Sequence, residues 1–478
     1  MKENISDKLE DISSLFDKWK THQLSLIGKN VIIKSLALSK LTYPFTMMEN
    51  IPEDTVENIQ KLFDSFLWDE KKNKIKSNIM CQEIGQGGLK TTNVKVFVDS
   101  QKCAWINRLC DPNNKAKWTL FSKAKAQQIC GTSDFKMIFN FNLNPRDIKN
   151  MFGNSFLSNL LRTWSQYHFN DTPQLSQIIW FNSAIKVDNK PLKCHQMMKQ
   201  NLVHFNDLIV NDVFIDQNLL RRLNIKMNYL NFLTLKTAIK EAFKKATETP
   251  CVNVNPISQK LLFQKNVKSS KAVYDWVIFN KIRPEGALEG ISQYWEKNIE
   301  TLEGSEDWNF IITNAYKSLF SSKLRTFAFK FIHHIVFSDL RLYKCGHRNS
   351  SLCSLCGHDV GDFIHIFWQC RTTMNLITDI NVWYNSTFNV NISFSKEKFL
   401  IGSKSQNCRL DSFTEAFLWY IKWFIHCRRF DEAPKTLQFF ITFIRDIEKL
   451  ERTIAIQKNC IPQHERKWFN FLRSQSTA

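Results

Sequence analysis

Cys353-Ser354-Leu355-Cys356, followed by His365 and Cys370, spells out C-x2-C-x8-H-x4-C. Two thiolates three positions apart can share one ion from a tight knuckle, and a later His and Cys can complete a tetrahedral shell. Four protein ligands leave no position for an activated water, so the expected role of one bound zinc is structural rather than hydrolytic. His365 and Cys370 stand five apart, more than a helical turn, so the backbone must unwind there or the side chains must differ in reach. On spacing alone, His358, Cys345 and His347 are substitute ligands, and three buried free cysteines with a surface histidine form the metal-free alternative. Phe367 and Trp368, between the last two ligands, can pack the small site or stack on a nucleobase.

A cationic stripe precedes this motif. Leu324, Phe327, Ala328, Phe331 and Ile335 define an apolar helix face, and offsets of seven and eleven place Lys323, Lys330 and His334 together on its flank. Residues 311–350 carry seven Lys and Arg against one acid, Asp339. Phosphate contacts suit such a segment, with Lys323, Arg325, Lys330, Arg341, Lys344, Arg348 and Trp368 as the nucleic-acid-binding candidates. A solvated face is the alternative. The whole chain agrees in sign: 65 Lys and Arg against 45 Asp and Glu give +20, which favours a polyanionic partner, nucleic acid ahead of an anionic membrane surface.

The elements around these residues read as mainly α. The 478 residues allow two to four domains, and 43% hydrophobic residues exclude whole-chain disorder. Val56, Ile59, Phe63, Phe66 and Leu67 mark one helix face ending near Trp68, with Glu53 and Asp54 in its first turn. Gly85-Gln86-Gly87-Gly88 breaks the pattern, and Val94 to Val98 starts either a strand or a helix leading to Trp105 and Leu109. Residues 111–310 read as irregularly helical, with a connector at Pro250 to Pro256 and a turn at Arg283-Pro284-Glu285-Gly286. No tandem repeat of solenoid period is present. Phe413, Phe417, Tyr420 and Phe424 fit one helix face, and Phe443, Ile447, Leu450 and Ile454 another. With only Phe430 to Pro434 between them, they predict an antiparallel helical hairpin. Core packing is the expected role of these aromatic stripes. Four segments follow: 1–110, 111–310, 311–385 with the Cys/His motif, and 386–478 as a helical tail.

Several function classes drop out. The first thirty residues lack the pattern of a secretory signal, so export is not expected. The apolar stretch Ala416 to Cys427 is interrupted by Lys422 and too short to span a bilayer. Thirteen scattered cysteines argue against a disulfide framework. The sequence has no adjacent Asp-Asp pair to hold two catalytic metals, and no G-x-x-x-x-G-K-S/T loop, H-E-x-x-H helix or G-x-S-x-G elbow. Polymerase and common hydrolase chemistry is therefore not expected of this chain.

Residues 24–38 (LSLIGKNVIIKSLAL), Phe66-Leu67-Trp68 and Gly87-Gly88-Leu89 resemble the segment that follows the reverse transcriptase domain in LINE-type non-LTR retrotransposon polyproteins. Residues 323–327 (KLRTF) and the Cys353 to Cys370 motif resemble the reverse transcriptase zinc-binding domain of the same family. The terminal His464, Lys467 and Trp468 are similar to the end of such polyproteins. The resemblance implies that Cys353, Cys356, His365 and Cys370 hold one structural zinc. It also implies that 1–110 is a thumb-like helical segment after a missing polymerase domain, and that the chain binds RNA and DNA. Its partners would include an upstream polymerase and endonuclease part, in a ribonucleoprotein of the nucleus and cytoplasm. Ser354 departs from the family, which often has Pro there, and should stiffen the knuckle less. The rival expectation is a host-adopted, zinc-stabilised protein-interaction scaffold.

Overall fold

The computed structural model describes residues 2–48, 51–169, 177–210, 213–244, 268–283, 286, 288–302, 304, 306–406, 409–431 and 434–476. The chain is mainly α, as its periodicity predicts, and it forms two compact units. One holds residues 1–8, 38–60 and 93–282, the other 9–37, 61–92 and 283–478. These units cut across the four segments read from the sequence, because contiguity in the chain says little about which faces pack.

In the first unit the Val94–Cys110 helix is the centre. Asn93 decides its identity: the side chain caps the first turn by accepting from Val96 N, which an alternating strand could not use. Val94, Val96, Val98, Cys103, Ile106 and Leu109 are all buried, on more than one side of the helix. Apolar residues all round a helix mark one packed from several directions. The helices Leu38–Met47, Phe156–His168 and Ser269–Val277 supply those neighbours. Trp105 meets Trp118 and Phe156 edge-on at 5.1 and 5.6 Å, and its indole donates to Thr46 O. Asp99, on the same helix, accepts from the Tyr167 hydroxyl at 2.6 Å. Two antiparallel strand pairs, Lys186–Val187 with Lys190–Pro191 and Ile209–Val210 with Val213–Phe214, interrupt the helices. The connector expected at Pro250 to Pro256 lies outside the described residues, as do Pro284 and Glu285 of the expected turn; Gly286 in that turn has φ +68°.

The second unit carries the Cys/His motif on a continuous core. Trp308–Ser318, Ser322–Ile332, Arg371–Phe388 and Ser412–Arg428 contribute most of it. The helical hairpin is present as Ser412–Arg428 and Leu437–Gln457: Phe424 meets Phe440 and Phe443, and Tyr420 reaches Glu451 farther from the turn. The second helix, however, is rotated from the expected face. Phe440, Ile444, Ile447, Glu448, Glu451 and Ala455 point inward, while Leu450 is 47% exposed.

A buried polar cluster causes that rotation. Glu451 Oε2 accepts from Lys467 Nζ at 2.8 Å and from Trp468 Nε1 at 3.0 Å, and its Oε1 accepts from Tyr420 at 2.7 Å. Lys467 also donates to Ser318 O and Tyr420. A charge taken out of water is tolerated only with such a full set of partners. Lys422 obeys the same rule. It is fully buried, donates to Phe399 O and Leu400 O, and lies 3.4 Å from the centre of the Trp419 rings. Burial pushes its ammonium well below the ordinary lysine range.

Removing one partner of the cluster should cost more than removing both. Glu451→Ala is expected to lower stability by roughly 3–5 kcal/mol, because Lys467 is left buried and uncompensated. The Glu451→Leu/Lys467→Met double variant should lose less, as read by urea denaturation followed by circular dichroism.

Candidate metal centre

The knuckle is built by a short antiparallel bridge and one glycine. Leu352 pairs with Val360, Cys353 N donates to Asp359 O at 2.8 Å, and Gly357 N donates to Cys353 O at 2.8 Å. Gly357 has φ +75°, a conformation other residues enter at a cost, and it turns the chain back after Cys356. Leu355 N donates to Cys353 Sγ at 3.4 Å, a backbone contact that favours a thiolate.

The five-residue step between the last two ligands is resolved by unwinding. His365–Gln369 is a π-helical turn, closed by Cys370 N donating to His365 O at 2.7 Å. A ring one residue wider than an α-turn brings positions i and i+5 to one side. Cys370 then leaves the helical region at φ −60°, ψ 126° and stands at the N-terminus of the Arg371–Phe388 helix, where the helix dipole favours negative charge.

These two pieces bring the four predicted ligands together. Cys353 Sγ and Cys370 Sγ are 3.9 Å apart, Cys356 Sγ and His365 Nε2 are 3.4 Å apart, and all four ligand atoms lie within 4.8 Å of one another. A tetrahedral ion with Zn–S and Zn–N bonds of ~2.3 and ~2.0–2.1 Å has S···S edges of about 3.8 Å and S···N edges of about 3.6 Å. The group can therefore hold a metal ion. The hydrogen bond between the two thiols pushes Cys370 down and Cys353 up, so one of the pair is inclined to the anionic form a metal requires. The substitute ligands stand apart: Cys345, His347 and His358 are exposed and outside this group.

Asp339 anchors the knuckle to the core. It is fully buried, and its Oδ2 accepts from Ser354 N at 2.8 Å and from Ser354 Oγ at 2.9 Å. Its Oδ1 accepts from Arg348 and lies 3.9 Å from Arg429 Nη2, which itself donates to Phe337 O at 2.6 Å. Ser354 thus stiffens the knuckle through its hydroxyl, a contact proline could not make and one the sequence reading did not anticipate. Gly361 completes the fit, since a Cβ there would stand 2.7 Å from Asp339 Cβ and 2.9 Å from Cys353 Cα.

The predicted cationic residues divide into two groups. Arg325 is used internally, its Nε donating to Tyr316 O and Leu319 O, and Arg348 is paired with Asp339. Arg341 donates to His334 O at 3.4 Å, and Lys344 is exposed. Trp368 is half-buried against Phe399. His334 leaves the flank shared by Lys323 and Lys330, because the helix ends at Ile332; its ring stacks on Tyr294 at 3.9 Å instead.

Lys323 and Lys330 line one cavity of about 420 Å³, joined by Lys74 from the basic run 71–76. Phe327, Trp423, His426 and Phe430 form an aromatic wall of this cavity, with ring centres 5.0–5.8 Å apart along it. Val336, Phe337 and Leu342, on either side of Asp339, also line it. Lys74 Nζ lies 3.9 Å from the Phe337 ring centre. Burial, and next the charges of Lys330 and Arg341, push Lys74 down to about 8; burial and the charge of Lys29 lower Lys330. Sequence reading missed Lys74 and the aromatic wall, which come from positions far apart in the chain.

The Gly87-Gly88-Leu89 segment is tied to the same helix. His333 Nε2 donates to Gly87 O at 2.9 Å, and Asn30 Nδ2 donates to Leu89 O at 2.8 Å. Burial holds His333 at about 4, so its ring is neutral at pH 7. Gly87 has φ +80°, and a Cβ on Gly88 would lie 2.2 Å from Gln82 O. Gly88 is thus required by a close backbone approach and Gly87 by its left-handed conformation.

No protein-family model matches the chain.

Replacing Asp339 by Asn should weaken metal binding by the Cys/His group, by up to the roughly 10–100-fold typical of groups that support metal ligands, because it loosens the Ser354 anchor of the knuckle. Competition with a chromophoric chelator measures this, and Ser354→Ala should give a smaller loss. An Asp339→Asn protein with wild-type affinity would remove Asp339 from that role.

Proposed function

We propose that one structural zinc occupies Cys353, Cys356, His365 and Cys370, and that the chain is a nucleic-acid-binding part of a LINE-type non-LTR reverse transcriptase. In this reading it corresponds to the region after the polymerase domain. It binds RNA and DNA and works with the upstream polymerase and endonuclease part in a ribonucleoprotein of the nucleus and cytoplasm. The donor set supports the metal: three sulfurs and one imidazole form a closed site of the structural zinc type.

The observation that carries nucleic-acid binding is the convergence of Lys74, Lys323 and Lys330 on one cavity, with no carboxylate at ion-pair distance among the described residues. Cations brought together at a partly buried site repel one another, and a phosphate placed among them removes that cost. Lys323 and Lys330 come to the cavity from the Ser322–Ile332 helix, and Phe337 and Leu342 from either side of Asp339, which holds the knuckle. The proposed zinc therefore supports the binding surface and takes no part in chemistry.

Each phosphate neutralised on a single strand contributes about 0.7 to the slope of log affinity against log salt. Replacing Lys74, Lys323 and Lys330 together by Gln should lower that slope by about 2 and weaken all sequences alike. An unchanged slope and affinity would favour the protein-interaction scaffold. The same preparation should incorporate no nucleotide on a primed template, since the reading assigns it no pair of metal-holding carboxylates. Chelator-sensitive templated extension by the pure chain would overturn that part.

A further inference from the structure

We propose that the cavity beneath Lys74, Lys323 and Lys330 receives one unstacked nucleotide of a single strand, its base against the wall formed by Phe327, Trp423 and Phe430 and its phosphate among the lysines. This rests on the nucleic-acid reading above and goes further, for it names the strandedness and the unit bound. Phosphate contact alone needs only exposed cations, whereas here three lysines line a partly open cavity together with a wall of rings.

Three features define the occupant. The first is size: about 420 Å³ lies in the range of ~300–1,000 Å³ typical of cavities for small organic ligands, and is far too small for a duplex. The second is the wall. Trp423 is half-buried and packs edge-on against Phe327 at 5.0 Å, so neighbouring rings hold its position, while Phe430 is 59% exposed at the end of the wall. Rings positioned in this way offer stacking surface to any base. The third is charge placement. Lys74, Lys323 and Lys330 give the lining three cations, and His426, held neutral at about 4 by burial, adds a ring and a polar edge without a fourth charge. An apolar occupant would leave the lysines that line the cavity without a counter-charge; an inorganic anion would leave the aromatic wall uncovered. A nucleotide matches both.

The test compares two short probes of equal charge by fluorescence anisotropy: hexathymidylate, and the same backbone with every base replaced by an abasic residue. The full chain loaded with zinc should prefer the base-bearing probe by about 10-fold or more, as expected for one base stacked on an aromatic side chain. Trp423→Leu should reduce that preference several-fold while the abasic probe binds as before. Phe430→Ala, at an exposed position, repeats the test should the Trp423 variant lose zinc or cooperative melting. Replacement of Lys74, Lys323 and Lys330 by Gln should weaken both probes in equal proportion. Equal wild-type binding of the two probes would overturn the nucleotide cavity and leave the phosphate reading standing. Absence of binding to either probe, or to duplex DNA and RNA, would overturn the reading beneath it. Binding of decanoate with no response to hexathymidylate would assign the cavity to an acyl anion and overturn the proposal.

Discussion

The carboxylate of Asp339 is the constraint on which the architecture around the Cys/His group depends. A fully buried carboxylate without partners would be among the most costly groups a protein can enclose, so the surrounding chain must supply donors. It does so from three places: Ser354 in the knuckle, Arg348 in the connecting loop and Arg429 at the end of the Ser412–Arg428 helix. Each contact joins a different layer to the same two oxygens. The hairpin, the connecting loop and the knuckle are therefore not independently placed. Shifting any one of them would leave a charge or a carbonyl unsatisfied in the core.

Much of this could be read from the residues in order. C-x2-C-x8-H-x4-C identified four side chains that the fold does bring together, because local spacing restricts what a knuckle and one turn can do. The difficulty at His365 and Cys370 was visible too, and the π-turn is the physical answer to it. The hairpin was legible from aromatic periodicity, but the orientation of its second helix was not. Glu448 and Glu451, of a residue type ordinarily turned to water, face inward because Lys467, His464 and Trp468 pack against them.

What escaped the sequence was long-range. Ser354 reads as a weakened knuckle position, yet its partner Asp339 lies fifteen residues upstream and cannot be inferred from spacing. Lys74 belongs to the basic run 71–76, whose local sequence does not reveal that the fold carries it onto Phe337. Arg325 and Arg348 look like phosphate ligands in a cationic segment and are instead used as internal donors. A local charge sum cannot distinguish a guanidinium satisfying carbonyls from one facing water.

The buried cations also alter what the formal charge of +20 means. Lys29, Lys422, Arg429 and Lys467 all count toward it, yet each is buried and turned toward a carboxylate, a carbonyl or a ring. The carboxylates of Asp69, Asp339 and Glu451, beside Lys29, Arg429 and Lys467, are already subtracted in that sum, so these cations add nothing to the net charge, and burial disfavours the charged form of Lys422. The field met by an approaching polyanion is thus set by fewer, peripheral lysines than the composition suggests. Two proteins with this same net charge could differ widely in attraction, according to whether their uncompensated cations gather on one face or scatter over the surface.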